Sequence, residues 1–392
     1  MKLTLVIPSH NNLRHLKNAY ASILKHAPKT EVILLDDGST DGTWEWIWQL
    51  AESHQHREVK AYKSKERVGH TVLYDKGIEL ATNEIVGIMH ADMIMGPNYV
   101  ENLLKHLKPG TVVCGTRIEP PLHPEGKEKI IANFGLDFDD LNVPAFEEFC
   151  LQKQNEFKGQ TTKGMFAPWV IYKKDFASMG GHDAVFAPFP YEDSDIFQRW
   201  LLAGYQLIQS RDAFVYHLTC RGHRWTEKIQ QDDDYYKTAS RNAARNYIRK
   251  WGSWIKNDEY QHPVLPKRYD VGFQIKNCNL DVLYFVEPWA DNVYVDDSDL
   301  AQKYVQLHSK ETDYDLSTKI LRSTDQANND ILVEFDAKNL NNSNAKFISS
   351  ISELLDDVEE TGDYEWDVFR VKIKKLEPLQ LTLPFVIKKN IF

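Results

Sequence analysis

Cysteine is scarce in this sequence, and its few cysteines are not clustered. The 392 residues include 4 cysteines, at positions Cys114, Cys150, Cys220 and Cys278. No pair has the C-x-x-C spacing that is typical of structural zinc sites and redox-active dithiols. We therefore expect reduced thiols, as in a cytoplasmic protein.

Basic residues are fewer than acidic ones. The chain has 47 Lys and Arg against 57 Asp and Glu, and its formal net charge is -10 at pH 7. Binding to nucleic acid requires a clustered basic surface, so we do not expect nucleic acid as the main partner.

Long hydrophobic runs are also missing. No window approaches the roughly 18 apolar residues of a membrane-spanning helix, so no transmembrane segment is expected. The apolar run at residues 3–7 is too short for a signal peptide. Both observations agree with the expected cytoplasmic location.

The length of the chain and a change in its composition predict two domains. The composition changes near Pro263, so we assign a first α/β domain to residues 1–262 and a smaller α/β accessory domain to residues 263–392. In the smaller domain the predicted strands are 271–275, 293–295, 331–335, 368–373 and 379–386, and the predicted helices are 299–308 and 345–358. It carries no catalytic motif, which favours a role in partner docking or in homo-oligomer formation.

Strands and helices alternate along the first domain. Residues 3–7 and 32–35 are short apolar runs bounded by turn formers, as in strands buried on both faces. Residues 13–26 and 71–81 have the spacing of helices, and residues 84–89 have the pattern of a further strand. This order predicts a mostly parallel sheet with right-handed crossovers and flanking helices.

Polar residues follow the predicted strands. Pro8 comes after the first strand, Asp36 and Asp37 after the second, and Asp92 after the strand at 84–89. Because parallel strands share a direction, these residues should meet at one edge of the sheet, where ligands of open α/β sheets bind. The alternative for Asp36 and Asp37 is a turn with a helix cap.

Motifs in a characteristic order give the chain a resemblance to family 2 glycosyltransferases with the GT-A fold. The motifs are Pro-Ser-His-Asn-Asn at 8–12, Asp-Asp-Gly-Ser-Thr-Asp-Gly-Thr at 36–43, Gly-Gly-His-Asp at 180–183 and Tyr-Glu-Asp-Ser-Asp at 191–195. The resemblance covers about residues 1–225. It implies that residues 1–116 bind a nucleotide sugar and that residues 117–262 bind the acceptor.

The chain departs from the family pattern at three of the positions that matter for chemistry. In the loop at residues 67–77 both glycines of the pattern are kept, but Tyr74 replaces an arginine, so diphosphate contacts are not carried over to it. His90 replaces the first Asp of an Asp-x-Asp motif. His182 replaces the Phe of Gly-Gly-Phe-Asp.

The resemblance implies a metal site, because the charge of a departing diphosphate can be neutralised by a divalent cation. It implies Asp92 as a metal ligand and His217 as a second ligand, with Mn²⁺ or Mg²⁺ as the cofactor. Imidazole suits Mn²⁺ better than Mg²⁺. The alternative for His217 is a structural role, and His90 would either line the ribose or bind the metal.

The resemblance also implies a general base, since the attacking hydroxyl must give its proton to a nearby carboxylate. Asp193 matches the family's base, and a displacement from the opposite face would invert the anomeric carbon. The alternative is an acid that only interacts favourably with the start of a helix.

Contacts to both substrates are implied in the same way. The implied donor contacts are Pro8, Asp36, Asp37, Gly69, His90 and Asp92, and the implied acceptor contacts are Asp183 and Glu192. Asp36 and Asp37 would accept hydrogen bonds from uracil N–H or from sugar hydroxyls, which favours a UDP sugar. Asp183 could equally belong to a tight turn.

Three further segments have weaker signals. Residues 120–163 are predicted to be irregular, as in an acceptor-side lid. The basic and aromatic cluster at residues 221–225 would either close over the diphosphate or form a solvated loop.

Basic residues recur at helical spacing within residues 235–254, at Arg241, Arg245, Arg249 and Lys250. This pattern predicts an exposed charged face. Contact with a phosphorylated lipid acceptor is the alternative.

The sequence therefore predicts a metal-dependent, inverting glycosyltransferase that moves a sugar from a nucleotide diphosphate sugar to a glycan or glycoconjugate. A catalytically silent, nucleotide- or sugar-binding scaffold is the alternative, which the changes at Tyr74 and His90 favour. A nucleotidyltransferase would need a Gly-rich basic loop after the first strand, and residues 8–12 lack one.

Overall fold

The computed structural model describes residues 2–53, 59–226 and 228–390. The chain forms two compact units, here named the first and the second unit. The first unit consists of Met1–Ser240, Asn257–Val264 and Leu383–Phe392, and the second of Arg241–Lys256 and Leu265–Thr382. This division differs from the predicted single boundary at residue 262, because the chain returns to the first unit near its end and one long helix contributes residues to both units.

The first unit is built on a 10-stranded sheet. Its strands are β1 (Leu3–Ser9), β2 (Glu31–Asp36), β3 (Val59–Lys63), β4 (Ile85–Ile88), β5 (Met93–Met95), β6 (Thr111–Glu119), β7 (Lys129–Ile131), β8 (Thr161–Thr162), β9 (Trp169–Tyr172) and β10 (Gln206–His217). Its helices are α1 (Leu13–His26), α2 (Thr43–Glu52), α3 (His70–Leu80), α4 (Tyr99–Leu104), α5 (Val143–Glu156), α6 (Lys173–Ser178), α7 (Glu192–Leu202) and α8 (Asp234–Trp251), the last of which continues into the second unit.

The strands of this sheet run mostly in one direction. Their order is β3-β2-β1-β4-β9-β6-β10-β5, with β7 beside β6 and β8 beside β10. The strands β1 to β4 pair in parallel, and so do β6 and β10. The strands β9 and β5 are antiparallel to their neighbours. The predicted mostly parallel α/β sheet is confirmed.

Apolar residues on both faces make β1 and β2 the centre of this sheet. Every residue of the two strands is buried. On one face Leu16 and Ile23 of α1 belong to the core, and on the other Val6 packs in a cluster with Leu73 and Ile78 of α3. The continuous apolar runs therefore correspond to strands covered on both faces.

The predicted irregular segment at residues 120–163 is wrong. It contains β7, the helix α5 and the short strand β8. Asn142 accepts a hydrogen bond from Ala145 N (3.1 Å) at the start of α5, and Phe146 and Cys150 are fully buried in an aromatic cluster with Tyr216. A capped helix with an apolar stripe thus replaces the expected loop.

The second unit has a 6-stranded sheet in the order β13-β12-β11-β14-β16-β15, whose first four strands are parallel. Its strands are β11 (Val271–Lys276), β12 (Asn292–Val295), β13 (Ile320–Arg322), β14 (Ile331–Asp336), β15 (Gly362–Trp366) and β16 (Phe369–Ile373). Its helices are α9 (Leu280–Val286), α10 (Ser298–His308), α11 (Leu316–Lys319), α12 (Lys346–Ser349) and α13 (Ile351–Asp356).

Two predicted elements near the end of the chain are wrong. Residues 379–386 form no strand, and Pro384 within them has no backbone N–H to donate to a strand ladder. The single helix predicted at 345–358 is two short helices, α12 and α13, because Ser350 between them has non-helical backbone angles.

The predicted exposed face of α8 is also wrong for most of its basic residues. Arg245, Arg249 and Lys250 are 8%, 4% and 1% exposed. The carboxylate of Glu287, which is fully buried, lies 2.8 Å from Arg245, 2.6 Å from Arg249 and 3.0 Å from Lys319. Burial alone would raise the pKa of Glu287, but the three cations hold it well below its usual value. Arg245 and Arg249 of α8 therefore help to neutralise a buried acid.

Candidate active site

A cavity of about 200 Å³ opens at the carboxyl edge of β1, β2 and β4. Backbone bonds hold these strand ends side by side, since Asp37 N donates to Ser9 O (2.9 Å) and Met89 N donates to Val6 O (3.0 Å). The residues that line the cavity are Pro8, Ser9, His10, Asn12, Asp37, Arg67, His70, Tyr74, His90, Ala91, Asp92, Phe189, Pro190, Glu192, Asp193, Arg221, Gly222 and His223.

Asp37 anchors the loop that forms one wall of the cavity. Its carboxylate accepts hydrogen bonds from Val68 N (2.7 Å) and Gly69 N (3.0 Å). Gly69 has a φ of +89°, and a Cβ at this position would lie 2.2 Å from Pro188 O, so only glycine fits. Of the predicted donor residues, Pro8 and Asp37 line the cavity, whereas Gly69 supports its wall.

Asp36 does not reach the cavity. Its side chain is fully buried, and it is absent from the lining residues. One carboxylate oxygen accepts a hydrogen bond from Ser39 N (3.2 Å). The predicted alternative, a residue that shapes the turn after β2, therefore describes Asp36, and only Asp37 of the acid pair faces the cavity.

Two histidines and an aspartate form a cluster with the spacing of a metal site. One ligand atom from each of His90, Asp92 and His217 lies within 4.8 Å of the others. The Nε2 atom of His217, at the end of β10, is 3.6 Å from Asp92 Oδ1. The other oxygen of Asp92 accepts a hydrogen bond from Arg221 N (3.1 Å). The cluster thus joins the edge of β4 to the end of β10.

Glu119 orients the imidazole of His217. Its Oε1 lies 3.1 Å from His217 Nδ1, and because a carboxylate only accepts hydrogen bonds, Nδ1 carries the proton. Nε2 then faces Asp92. Arg117 and Lys129 each lie 3.0 Å from Glu119 and keep it charged. A histidine held by a second carboxylate is typical of metal ligands.

The protonation states of this cluster suit a cation. Burial, together with the neighbouring His217, lowers the pKa of His90 to about 3, so His90 is neutral at physiological pH. Burial acts to raise the pKa of Asp92, but His217 and His90 bring it below its usual value. A neutral imidazole and an ionised carboxylate are the forms that bind a metal ion.

A second acidic pair lies at the start of α7. Glu192 Oε1 is 2.8 Å from His70 Nε2 at the start of α3. Burial acts to raise the pKa of Glu192, but His70 and smaller contributions from its other neighbours together lower that pKa and keep the acid ionised. Burial and the negative charge of Glu192 raise the pKa of Asp193 to about 6. A carboxyl group that titrates this close to neutrality is suited to proton transfer.

Several residues that line the cavity were not singled out from the sequence. His10 and Asn12 belong to a quoted motif after β1, and His70 begins the helix that follows Gly69, so their position at the strand edge was a usable signal. The ring of Phe189 stacks on His70 with centroids 5.4 Å apart. No local pattern marks Phe189, because its partner lies far away in the sequence.

The cluster at residues 221–225 divides into two parts. Arg221 and His223 line the cavity, and Arg221 is only 6% exposed. Arg224 and Trp225 instead bond to Asp232, at 2.7 and 3.0 Å. The predicted solvated loop is therefore wrong for Arg221. The predicted closure over a diphosphate remains a prediction only for Arg221 and His223, which line the cavity.

Asp183 is placed differently from the predicted acceptor contact. It is fully buried and does not line the cavity. Its carboxylate accepts hydrogen bonds from Val185 N (3.1 Å), Ile387 N (2.8 Å) and Lys388 N (2.9 Å). The acid therefore binds the backbone of the carboxyl-terminal segment, whereas Glu192, the other predicted acceptor residue, does line the cavity.

Within residues 2–53, 59–226 and 228–390, the structure contains no helix with the length and apolarity needed to cross a lipid bilayer.

Residues 4–176 match the family model described as glycosyl transferase family 2. Among curated relatives, the chain is 27% identical over 114 residues to an uncharacterized glycosyltransferase of Nostoc sp., 25% identical over 120 residues to a dolichol-phosphate mannosyltransferase of Pyrococcus furiosus, and 30% identical over 116 residues to glycosyltransferase GlyG of Streptococcus pneumoniae. These matches cover 29%, 30% and 29% of this chain and 35%, 33% and 38% of the relatives. The chain thus spans well under half of the length of each of these relatives.

Two solved structures are similar in part. The mannosyltransferase PcManGT of Pyrobaculum calidifontis, in complex with GDP-Man and Mn²⁺, gives a TM-score of 0.41 at 19% identity over 63% of this chain and 61% of that one. GalNAc-T7 with UDP, GalNAc and Mn²⁺ gives a TM-score of 0.46 at 14% identity over 66% of this chain and 49% of that one. The family match itself includes Asp37 and Asp92 and ends before Glu192.

Proposed function

From the match of residues 4–176 to the family model of glycosyl transferase family 2, we propose that this chain transfers a glycosyl group from a nucleoside diphosphate sugar to a hydroxyl of a glycan or glycoconjugate. One observation carries the proposal: His90 and Asp92, two members of the cluster with metal-site spacing, line the same cavity as Asp193, whose pKa lies near 6. Glycosyl transfer needs both features, because one group must stabilise the departing diphosphate and another must accept the hydroxyl proton.

The donor end of the proposed site is the edge of β1, β2 and β4. Pro8 and Asp37 would contact the nucleoside, with Asp37 accepting a hydrogen bond from a uracil N–H or a ribose hydroxyl, so a UDP sugar is the proposed donor. His90 faces the same space. Asp36 would not contact the donor itself and would contribute only by shaping the turn after β2.

His90, Asp92 and His217 would hold a divalent cation. Their chemistry fits one, since His217 presents Nε2 while Glu119 holds Nδ1, and two imidazoles with one carboxylate favour Mn²⁺ over Mg²⁺. When bound, such a cation neutralises charge on the diphosphate. Arg221, whose backbone N bonds to Asp92, lies beside the same space.

The acceptor end is the start of α7. The acceptor oxygen forms a bond to the anomeric carbon while the bond from that carbon to the diphosphate oxygen breaks, and the electron pair leaves with the nucleoside diphosphate. The hydroxyl proton passes to the carboxylate of Asp193, which must be ionised beforehand. Attack on the face opposite the leaving group inverts the anomeric carbon. Glu192, fixed by His70, would orient the acceptor.

Calorimetric titration tests the donor class. The purified chain is titrated with UDP, GDP, CDP and dTDP, each with Mn²⁺ and with a chelator. We expect metal-dependent binding of UDP, and we expect Asp92→Ala to abolish the gain in affinity that Mn²⁺ gives, while Asp139→Ala, a change at an exposed acid, keeps it. Binding of none of the four nucleotides would overturn the proposal, and binding without transfer of any sugar would favour the silent scaffold.

We further propose a cytoplasmic site of action, on the basis of the four free cysteines, and partner docking or homo-oligomer formation as the role of the second unit. Its own six-stranded sheet offers a surface separate from the sheet that carries the cavity. Sedimentation of the full chain, with and without the proposed acceptor glycans, tests this role.

A further inference from the structure

A second cavity, here named the basic cavity, lies beside the cavity at the carboxyl edge of β1, β2 and β4, here named the first cavity. Its volume is about 350 Å³, which is within the range of small-molecule sites. The start of α1 and the segment that follows β10 form its walls. The two cavities adjoin, because both are lined by His10, Asn12, Arg67, Arg221 and Gly222.

Cationic side chains outnumber acidic ones in the basic cavity. Four arginines and lysines line it against two aspartates, so it carries an excess of two positive charges, whereas the whole chain has a formal net charge of -10. The cations are Arg14, Arg67, Arg221 and Lys228, and the acids are Asp41 and Asp137. A local positive excess on an acidic protein attracts anions.

Both aspartates are already bonded within the protein. Asp41 Oδ2 accepts a hydrogen bond from Leu13 N (3.0 Å). Asp137 Oδ1 accepts one from Phe138 N (2.7 Å) and lies 2.8 Å from His15 Nε2. The two acids therefore bind the backbone and an imidazole more closely than they bind the cations of the cavity.

Arg221 is a buried cation with unused donors. It is 6% exposed, and its Nη2 donates to Leu136 O (2.5 Å). Its Nε is 3.6 Å from Asp137 Oδ2, which is beyond hydrogen-bond distance. Within the described parts of the chain, Arg221 Nε, Arg221 Nη1 and Arg67 Nε are buried without a hydrogen-bond partner. Unpaired buried donors on a cation are costly, and an oxyanion would satisfy them.

The backbone holds Arg221 at the border of the two cavities. Asn12 Nδ2 donates to Arg221 O (3.5 Å), and Arg221 N donates to Asp92 Oδ2 (3.1 Å). Gly222, the next residue, has a φ of +86°, and a Cβ there would lie 2.9 Å from Asn12 Nδ2. Glycine thus allows this loop to approach α1. Arg221 is therefore positioned by the fold before any ligand binds.

The groups proposed to bind the donor do not line the basic cavity. Pro8, Asp37, His90 and Asp92 line the first cavity only, so the nucleoside and the diphosphate of the donor belong there. The start of α1 adds the positive end of a 14-residue helix to the basic cavity, and its first turn contains no acid to offset it. An anion in the basic cavity therefore comes with the other substrate.

We propose that the basic cavity binds a phosphate group carried by the acceptor, so that phosphorylated glycans or glycoconjugates are the acceptor class. The inference rests on the proposed function and deepens it. A phosphate monoester has a charge of about -1.5 to -2 at pH 7, which matches the excess of two positive charges. Arg221 and Lys228 would donate to the phosphate, while the acceptor hydroxyl meets Asp193 in the first cavity.

Calorimetry of the full chain tests the phosphate site. The probes are inorganic phosphate, glucose 1-phosphate and glucose 6-phosphate, with glucose as the neutral match, each with and without UDP and Mn²⁺. We expect the sugar phosphates to bind in both conditions, and glucose to bind at least about 10-fold more weakly. Lys228→Gln should weaken the binding of the sugar phosphates about 10-fold. It should leave the affinity for UDP unchanged, since Lys228 lines only the basic cavity.

Lys29→Gln is the matched control, because it removes the same charge at an exposed lysine that lines neither cavity. It should leave every affinity unchanged. Equal losses in the two variants, or no binding of the sugar phosphates, would overturn the inference. Displacement of the sugar phosphates by UDP with Mn²⁺ would place them in the donor site and would also overturn it. Binding of inorganic phosphate alone would indicate an adventitious ion only, with the same consequence.

Transfer assays separate this inference from the proposed function. Absence of transfer to every acceptor, phosphorylated or neutral, refutes the proposed function, yet calorimetry still decides whether the basic cavity binds phosphate. If the chain transfers a sugar, we expect a higher kcat/KM for phosphorylated acceptors, and a loss of this preference in Lys228→Gln but not in Lys29→Gln. Equal kcat/KM for both kinds of acceptor, or a preference that Lys228→Gln keeps, refutes the inference alone.

Discussion

Two buried acidic sites, one in each unit, differ in how their charges are balanced. In the second unit the carboxylate of Glu287 has Arg245, Arg249 and Lys319 within 3.0 Å, and the Tyr304 hydroxyl lies 3.1 Å from Glu287 Oε2. In the first unit Glu192 and Asp193 are adjacent acids. Glu192 pairs with His70 at 2.8 Å, and one oxygen of each acid has no partner among the described residues.

The difference separates an acid that stabilises structure from one that can do chemistry. Arginine and lysine remain charged at all ordinary pH values, so they fix Glu287 as an anion. Burial and the neighbouring acid Glu192 raise the pKa of Asp193 to about 6, where a proton can be taken up and released. Burial is common to both sites, and the chemistry of the partners decides the outcome.

The largest expected effect concerns the catalytic activity that depends on Asp193. Asp193→Asn should reduce turnover roughly 10²- to 10⁴-fold because the acceptor proton loses its base, while nucleotide affinity stays nearly unchanged. In the unmodified chain kcat/KM should fall as pH decreases through about 6, because the base becomes protonated. Initial rates across pH, with nucleotide titrations beside them, check both. Unchanged turnover would remove Asp193 from this role.

The next largest effect concerns the free energy of unfolding, which depends on the ion pairs of Glu287. Glu287→Gln leaves three buried cations without their counter-ion and should lower the free energy of unfolding by about 3–5 kcal/mol. Because the folded-state pKa of Glu287 is below its usual 4.5, this stabilisation is present above that pH and is lost as the pH falls further. Urea unfolding measures it. Glu377→Gln, which alters an exposed ion pair, should have almost no effect.

A smaller effect, on metal affinity, is expected at Glu119, which orients His217 of the cluster. Glu119→Gln should weaken Mn²⁺ binding roughly 10- to 100-fold, because the charged acceptor that orients His217 is lost. Glu128→Gln is the matched control, since Glu128 also approaches Arg117, at 3.6 Å, but has no bond to His217. Calorimetry with Mn²⁺ measures both variants. Equal losses would indicate that only the charge near Arg117 matters.

The smallest effect reverses the sign seen at Glu287. The pKa of Asp193 rises from 3.8 to about 6 on folding, so ionising it destabilises the folded state as pH rises through that window. Asp193→Asn should therefore stabilise the chain by about 1–2 kcal/mol at pH 8, with the gain vanishing below pH 4. Urea unfolding at both pH values decides this. A loss of stability at pH 8 would contradict the difference drawn between Glu287 and Asp193.

The parts of the site that follow parallel strands could be predicted from the sequence. Strand direction alone brings Pro8, Asp37 and Asp92 to one edge, and each lines the cavity. The acid pair at the start of α7 was marked by its motif. These residues are predictable because their position depends on local pattern and on the direction of their own strand.

Residues that act through distant partners could not be predicted. Asp75 is bonded to His182, 107 positions away, and Asp183 to Lys388, 205 positions away. The basic run of α8 has the local pattern of an exposed face, yet Glu287 lies 38 positions from Arg249 and requires it to be buried. In each case the partner decides the role, and local spacing carries no information about the partner.

The carboxyl-terminal segment bears on how the chain is made. Asp183 receives Ile387 and Lys388, and Asp75 receives Asn390. During synthesis from the amino terminus, both acids are therefore without these partners until residues 387–390 have left the ribosome. The strands of the first unit's sheet all precede these residues in the chain, so the contacts that hold the turn ahead of α7 are among the last of this unit that synthesis makes available.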